Sequence, residues 1–181
     1  MTALPTGLEA ATYTIDPTHT QAGFSVRHAG ISKVRGTVPV VEGTIVVAED
    51  VESSTVTAVL DATGVSTGEA NRDGHLRSAD FFDTEANPTW SFASTAVKAN
   101  GEDFVVTGHL TIAGVTKPVE LALEYTGSAV DAFGNARAAF EGSVTISRKE
   151  WGITWNAALE AGGVLVSDKV AITLEVSAIK A

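Results

Sequence analysis

The stretch "FVVTGHLTIAGVTKPVELALEY", residues 104–125, decides the fold because it alternates apolar and polar residues twice over. Phe104, Val106, Leu110 and Ile112 share one side of an extended chain, against Thr107, His109 and Thr111. Val119, Leu121, Leu123 and Tyr125 then stand against Glu120 and Glu124. Successive side chains of a strand point to opposite faces, so this pattern marks two strands with one buried face each. The same period runs outward in both directions. "AGFSVRHA" puts Ala22, Phe24, Val26 and His28 on one face, and "TVTAVLDA" does so with Val56, Ala58, Leu60 and Ala62. "AAFEGSVTI" aligns Ala138, Phe140, Val144 and Ile146, and "KVAITLEV" aligns Val170, Ile172, Leu174 and Val176. With "YTID", "GTIVVA" and "TWSFAS" the chain holds about eight or nine short strands, and "ANGED" (99–103) and "AFGNA" (132–136) read as hairpin connections. The expectation is an all-β protein, either an up-and-down barrel or a sandwich. A closed barrel has the further merit of leaving no strand edge unpaired.

Alternation stops at "NRDGHLRSADFFDTEANPTW", residues 71–90. Ser66-Thr67-Gly68-Glu69 has capping-box spacing, a hydroxyl three residues before a carboxylate, which predicts a short helix through about Arg77. Asp73 and Arg77 would then form an i, i+4 pair in the favourable acid-first order. Asn87-Pro88 ends the irregular stretch before a strand starting near Thr89. A second short helix is expected around Ser32–Arg35.

Composition removes several classes of function. At 181 residues with 44% hydrophobic side chains, the chain has the size and apolar content of one folded domain. The net charge of −10 argues against nucleic acid as a partner and against docking on an anionic membrane surface. There is no cysteine, which removes disulfides, thiolate catalysis and Cys-ligated metal. No apolar run reaches the roughly 18 residues that a membrane-spanning helix requires. The N-terminus lacks the basic and apolar regions of a secretory signal, so a cytoplasmic location is expected.

Residues 71–90 also raise the question of catalysis. His75 and Ser78 are three apart with acids nearby, but no G-x-S-x-G elbow accompanies the serine, and short polar helices carry such residues as caps and ion pairs. The four histidines, His19, His28, His75 and His109, show no metal-ligand spacing, although His19 and His28 are expected to converge. His109, on a polar strand face, is expected in solvent. No cofactor is implied. The aromatic residues carry more weight, because several fall on predicted inward faces. An eight-stranded barrel is close to the size at which its interior is either filled or holds one ligand, and periodicity does not choose between the two.

Four motifs in order go further: "YTIDPTHTQAGFSVRHAGISKVRGTV" (13–38), "NRDGHLRSADFFDTEANP" (71–88), "GHLTIAGVTKPVEL" (108–121) and "RKEWGITWNAALEAGGVLVSDKVAITLEV" (148–176). Together they resemble the YceI-like, polyisoprenoid-binding family over about residues 12–178. The resemblance implies a lipocalin-like antiparallel up-and-down β-barrel of about eight strands with one or two short helices. It implies residues 12–181 as the barrel domain behind an N-terminal extension of residues 1–11. It also implies binding, carriage or sequestration of a long isoprenoid such as a prenyl quinone or polyprenyl lipid, without catalysis, in a protein that forms homodimers. The pocket would be lined by Phe24, Val26, Val38, Leu60, Leu76, Phe81, Phe82, Trp90, Phe92, Leu110, Phe140, Trp151 and Trp155. Val38 stands where relatives often carry phenylalanine, and Glu150-Trp151-Gly152 where they often read D-F-G. Arg27 or Arg72 would meet a polar head at the mouth. Two rivals remain at this level: an isomerase or cyclase using His28 or His75 as acid or base, and a stress-response interaction module with a filled core.

Overall fold

A computed structural model describes residues 1–160 and 162–181. Ten strand segments follow one another: β1 (Ala11–Ile15), β2 (Gln21–His28), β3 (Ser32–Val38), β4 (Val40–Val47), β5 (Thr55–Asp61), β6 (Thr89–Asn100), β7 (Asp103–Ile112), β8 (Val115–Val130), β9 (Ala136–Ser147) and β10 (Val166–Lys180). One α-helix, α1 (Ala70–Arg77), lies between β5 and β6. The segments β1 and β2 are two halves of one staircase, both pairing with β10, while β3 and β4 form the next. Counted this way the described residues form a closed antiparallel barrel of eight strands, one of the two architectures the alternation allows and the one the family resemblance implies.

The ladder keeps one face inward throughout. Tyr13, Ile15, Val38, Val40, Ile45, Leu60, Trp90, Phe92, Phe104, Val106, Ile112, Phe140 and Ile146 are all buried there. Register slips at Val40/Glu42, Ser94/Ala96 and Tyr125/Gly127 put bulges into long strands, which sharpens the local twist and helps the sheet close. His109 is exposed on the outer face, as its strand position requires.

The antiparallel order gives the barrel two different ends. Residues 29–31, 62–88, 113–114, 148–160 and 162–165 lie in the connections at one end, here the mouth. Residues 48–54, 101–102 and 131–135 connect them at the far end, where both termini also lie. The far end is closed by the N-terminal segment. Leu8 is buried, Leu4 packs on the core, and Thr2 exchanges hydrogen bonds with Asp50 Oδ1 (2.9 Å) and the Val51 amide (3.1 Å). Arg137 locks the same end, donating to Asp131 Oδ2 (2.7 Å) and Asp16 Oδ2 (2.8 Å).

Three local expectations are corrected. Residues 32–35 form strand, not helix: the chain turns at Ala29 and Gly30, both with positive φ, and each residue of 32–38 pairs with β2. The helix ends where expected but is not capped by a Ser66–Glu69 box. Glu69 is itself the N-cap and accepts from the amides of Asn71 (3.1 Å) and Arg72 (2.6 Å). Asp73 does not pair with Arg77. It is buried and accepts instead from the Thr67 amide (2.8 Å) and hydroxyl (2.6 Å), fastening the helix to the loop before it.

Candidate functional site: an apolar chamber inside the barrel

The barrel is not filled by its own side chains. A chamber of about 580 Å³ runs from the mouth toward the far end, within the usual range for small-molecule sites. The filled-core alternative is thereby corrected. Space is left partly because glycines occupy inward positions on β3, β7 and β9. A methyl group on Gly108 would stand 2.5 Å from the Phe92 ring and 2.6 Å from the Ala93 carbonyl, so the ring lies down over the glycine instead of crossing the lumen. Gly36 receives the Phe24 ring and Gly142 the Leu123 side chain in the same way.

All the residues expected to line a pocket reach its wall. Phe24, Val26 and Val38 come from β2 and β3, and Leu60, Trp90, Phe92, Leu110 and Phe140 from β5 to β9. Leu76, Phe81 and Phe82 enter from the α1 segment, which folds across the mouth. Its fold follows from its polar half. Ser78 ends the helix and donates Oγ to the His75 carbonyl at 2.6 Å, and the Phe82 amide returns to the Leu76 carbonyl at 2.9 Å. Phe82 is thereby held edge-on to Trp90 at 4.8 Å and to Phe24 at 6.4 Å. The Trp90 Nε1 is buried and has no hydrogen-bond acceptor among the described residues.

Opposite α1, residues 148–165 carry Trp151 and Trp155. Trp151 is buried and donates Nε1 to the Leu110 carbonyl at 3.0 Å. The positions of both depend on Arg148, a buried cation that the sequence reading missed. Its Nε donates to the Ser167 carbonyl (2.9 Å), Nη1 to those of Ile153 and Trp155 (2.9 Å each), and Nη2 to that of Val166 (3.2 Å). Burial pushes this guanidinium down from the usual arginine range, while the charge of Asp168 opposes the shift. Four carbonyls oriented on one fork fix the loop that walls the mouth.

The polar mouth residues also assemble. Arg27, His28, Arg72 and His75 all border the opening, joined by Glu69 and Asn71. Arg72 is partly committed, donating to the Thr67 hydroxyl (2.6 Å) and carbonyl (3.0 Å). His75 Nε2 lies 2.8 Å from Asp80 Oδ2, and its ring meets Phe81 and Trp155 edge-on at 5.0 and 4.7 Å. Ser78 touches the backbone of His75 rather than its ring, so the two do not form a nucleophile–base pair. His19 does not approach His28. It sits on Asp16 (2.9 Å) at the start of β2, whereas His28 ends that strand at the mouth. The sequence reading also missed Leu4 and Leu8 of the floor, which belong to no alternating run.

Such a molecule is an antiparallel barrel around an apolar chamber with a polar rim at its mouth. Comparison with known proteins agrees. The YceI-like domain matches residues 13–178, and the chain belongs to that family. Over 147 residues it is 41% identical to a UPF0312 protein of Pseudomonas aeruginosa and 40% identical to Protein YceI of an Escherichia coli strain, in each case covering 80% of this chain and 77% of the relative. Among solved structures it superposes on BcnA of Burkholderia cenocepacia (TM-score 0.73, 18% identity, 90% of this chain and 98% of that one). A Campylobacter jejuni YCEI protein gives a TM-score of 0.69 at 26% identity, over 86% and 90% of the two chains. A polyisoprenoid binding domain from Saccharophagus degradans gives 0.69 at 14% identity, over 96% and 100%.

Proposed function

We propose that the protein holds a long isoprenoid chain, as part of a prenyl quinone or polyprenyl lipid, inside the barrel and carries or sequesters it without altering it. The observation that carries this reading is the chamber of about 580 Å³ walled by aliphatic and aromatic side chains. At about 30 Å³ per heavy atom, the share a water takes in the liquid, it has room for roughly 20 heavy atoms, or about four isoprene units. Each buried CH₂ contributes about 0.8 kcal/mol gross, so roughly ten carbons give about 8 kcal/mol and a full chamber more. A preformed wall limits what is lost in ordering the pocket. The name of the Saccharophagus degradans neighbour, a polyisoprenoid binding domain, supports the same ligand class.

The direct test is organic extraction of the purified protein followed by mass spectrometry. A prenyl lipid at about one per chain is expected, together with a higher melting temperature on adding that lipid to stripped protein. No retained prenyl lipid and no thermal response would refute the reading.

One observation favours a second reading. Both His28 and His75 reach the mouth, so an isomerase or cyclase would find an acid or base there. The lipid-carrier reading stands ahead of it because these rings sit at the rim, with His75 engaged by Asp80. Incubating candidate prenyl substrates with wild type and with His75→Gln separates the two, since a carrier returns them unchanged in both cases.

A further inference from the structure

The β2–β3 hairpin has an electrostatic character opposite to the rest of the chain. Between Asp16 and Glu42 there is no acidic residue, yet Arg27, His28, Lys33 and Arg35 all lie in this stretch. The register sets Arg27 directly opposite Lys33 and Ser25 opposite Arg35, on the outer face of the strands that send Phe24 and Val26 inward. Like charges placed across a ladder repel. Among the described residues no carboxylate lies within ion-pair distance of any of these three cations. The fold therefore maintains an unneutralised basic patch on a chain whose net charge is −10.

The patch surrounds an apolar tip. Ile31, in the turn of the hairpin, is 83% exposed. The Ala29 amide donates to the Leu165 carbonyl at 2.7 Å, which brings the turn beside the 153–165 segment and its 51% exposed Val164. Both stand at the mouth of the chamber. The far end is acidic, with Glu49, Asp50 and Glu52 in the β4–β5 connection, Glu102 and Asp103 at the β6–β7 turn, and Asp131 beyond β8. Only Lys98, Arg137 and Lys180 of the twelve Lys and Arg lie toward that end, and the last two are paired. The far end is thus net acidic, whereas the mouth carries both signs and is basic on its β2–β3 side.

We infer that the β2–β3 hairpin is a docking surface for an anionic lipid bilayer, with Ile31 and Val164 entering the interface while Arg27, Lys33 and Arg35 meet the headgroups. The local charge turns this side of the mouth, rather than the acidic far end, toward such a surface. Net charge alone argues the reverse, but an interfacial contact feels the residues within about a Debye length of it. The other rim of the mouth, with Glu69, Asp80 and Asp83, is acidic, so the molecule rests tilted on its β2–β3 side. Basic residues beside an apolar insertion are the combination that anionic interfaces retain. A bilayer is favoured over an acidic protein because the patch borders the opening of the lipid chamber, a point that rests on the carrier reading above. Docking there lets an isoprenoid pass between bilayer and barrel without crossing water.

Flotation of delipidated protein with vesicles of phosphatidylcholine, with and without phosphatidylglycerol, tests the inference. Binding to the anionic vesicles alone is expected, falling as salt is raised. Lys33→Glu with Arg35→Glu should weaken it roughly tenfold or more, given about fivefold for each cation at such a surface. Ile31→Ser should weaken it with the charge unchanged. Phe133→Ser is the control, because Phe133 is 90% exposed at the acidic end. Equal recovery on neutral vesicles, no recovery on anionic ones, or a loss in Phe133→Ser matching that in Ile31→Ser would overturn the inference. So would salt-sensitive self-association without vesicles, which would assign the patch to a second copy of the chain. No isoprenoid is present in this assay. Protein that floats but never retains prenyl lipid therefore refutes the cargo reading, and protein that retains lipid but does not float refutes docking.

Discussion

Arg148→Met removes the cation that holds the mouth wall while keeping much of the side-chain volume. Four backbone carbonyls, of Ile153, Trp155, Val166 and Ser167, lose their donor. Hydrogen bonds to a charged group contribute about 1.5–3 kcal/mol each, which taken naively gives roughly 6–12 kcal/mol. Burying a guanidinium offsets several kcal/mol of that. The net expectation is a loss of about 3–5 kcal/mol, in the range found when one partner of a buried charged network is deleted. For a domain of this size that lowers the melting temperature by roughly 10 °C. Urea denaturation is the assay: the midpoint should fall while the slope stays constant. Arg148→Lys should recover less than half of the loss, because a point ammonium cannot serve four carbonyls on a planar fork. Trp155 fluorescence should shift to the red as residues 153–165 loosen. A change below about 1 kcal/mol in Arg148→Met would refute the claim that this residue builds the wall.

Three further outcomes follow from the same geometry. The Arg137 guanidinium holds the carboxyls of Asp16 and Asp131 well below the usual carboxylate range. As pH falls through about 4, the unfolded chain takes up protons at these positions before the native state does, so this contribution is present above that pH and lost below it. Melting temperature measured against pH should fall on the acid side, and Arg137→Met should flatten that fall. Gly108→Ala, which drives a methyl into the Phe92 ring and the Ala93 carbonyl, should cost about 1–3 kcal/mol by chemical denaturation. Trp90→Phe and Trp151→Phe should differ: the first removes a donor without an acceptor and stays within about 1 kcal/mol of wild type apart from lost packing, whereas the second also loses the hydrogen bond to the Leu110 carbonyl, and equal polar losses would refute the assignment.

The sequence shows the barrel clearly because period-two alternation is a consequence of burying one strand face, and nearly every inward residue obeys it. Phe24, Leu60, Phe92, Leu110 and Phe140 reach the chamber wall for that reason alone. The emptiness of the chamber was not legible. It depends on Phe92 lying over Gly108 and Phe24 over Gly36, cross-strand relations that no single strand displays. Arg148 reads as part of a polar triplet, "RKE", and only the return of residues 153–167 makes it a buried hub. The SKVR segment fits helix locally, yet ladder bonds to β2 outweigh local preference. Leu4 and Leu8 carry no pattern because they cap the far end rather than join the sheet. The net charge, a sum, discards position, and most of the basic residues lie toward the mouth.

An isoprenoid chain that enters the proposed site end-on fills the chamber at about four units. Titrating stripped protein with prenyl alcohols of increasing length, read by tryptophan fluorescence, tests it most directly. Affinity should rise steeply with each added isoprene unit until about 20 carbons, as the hydrophobic gain per CH₂ requires, and then level off as further units project from the mouth. Saturation at one ligand per chain should accompany this, and Val144→Trp, which plugs the lumen, should abolish it. An affinity that does not depend on chain length, or binding that Val144→Trp leaves intact, would refute isoprenoid binding in the chamber.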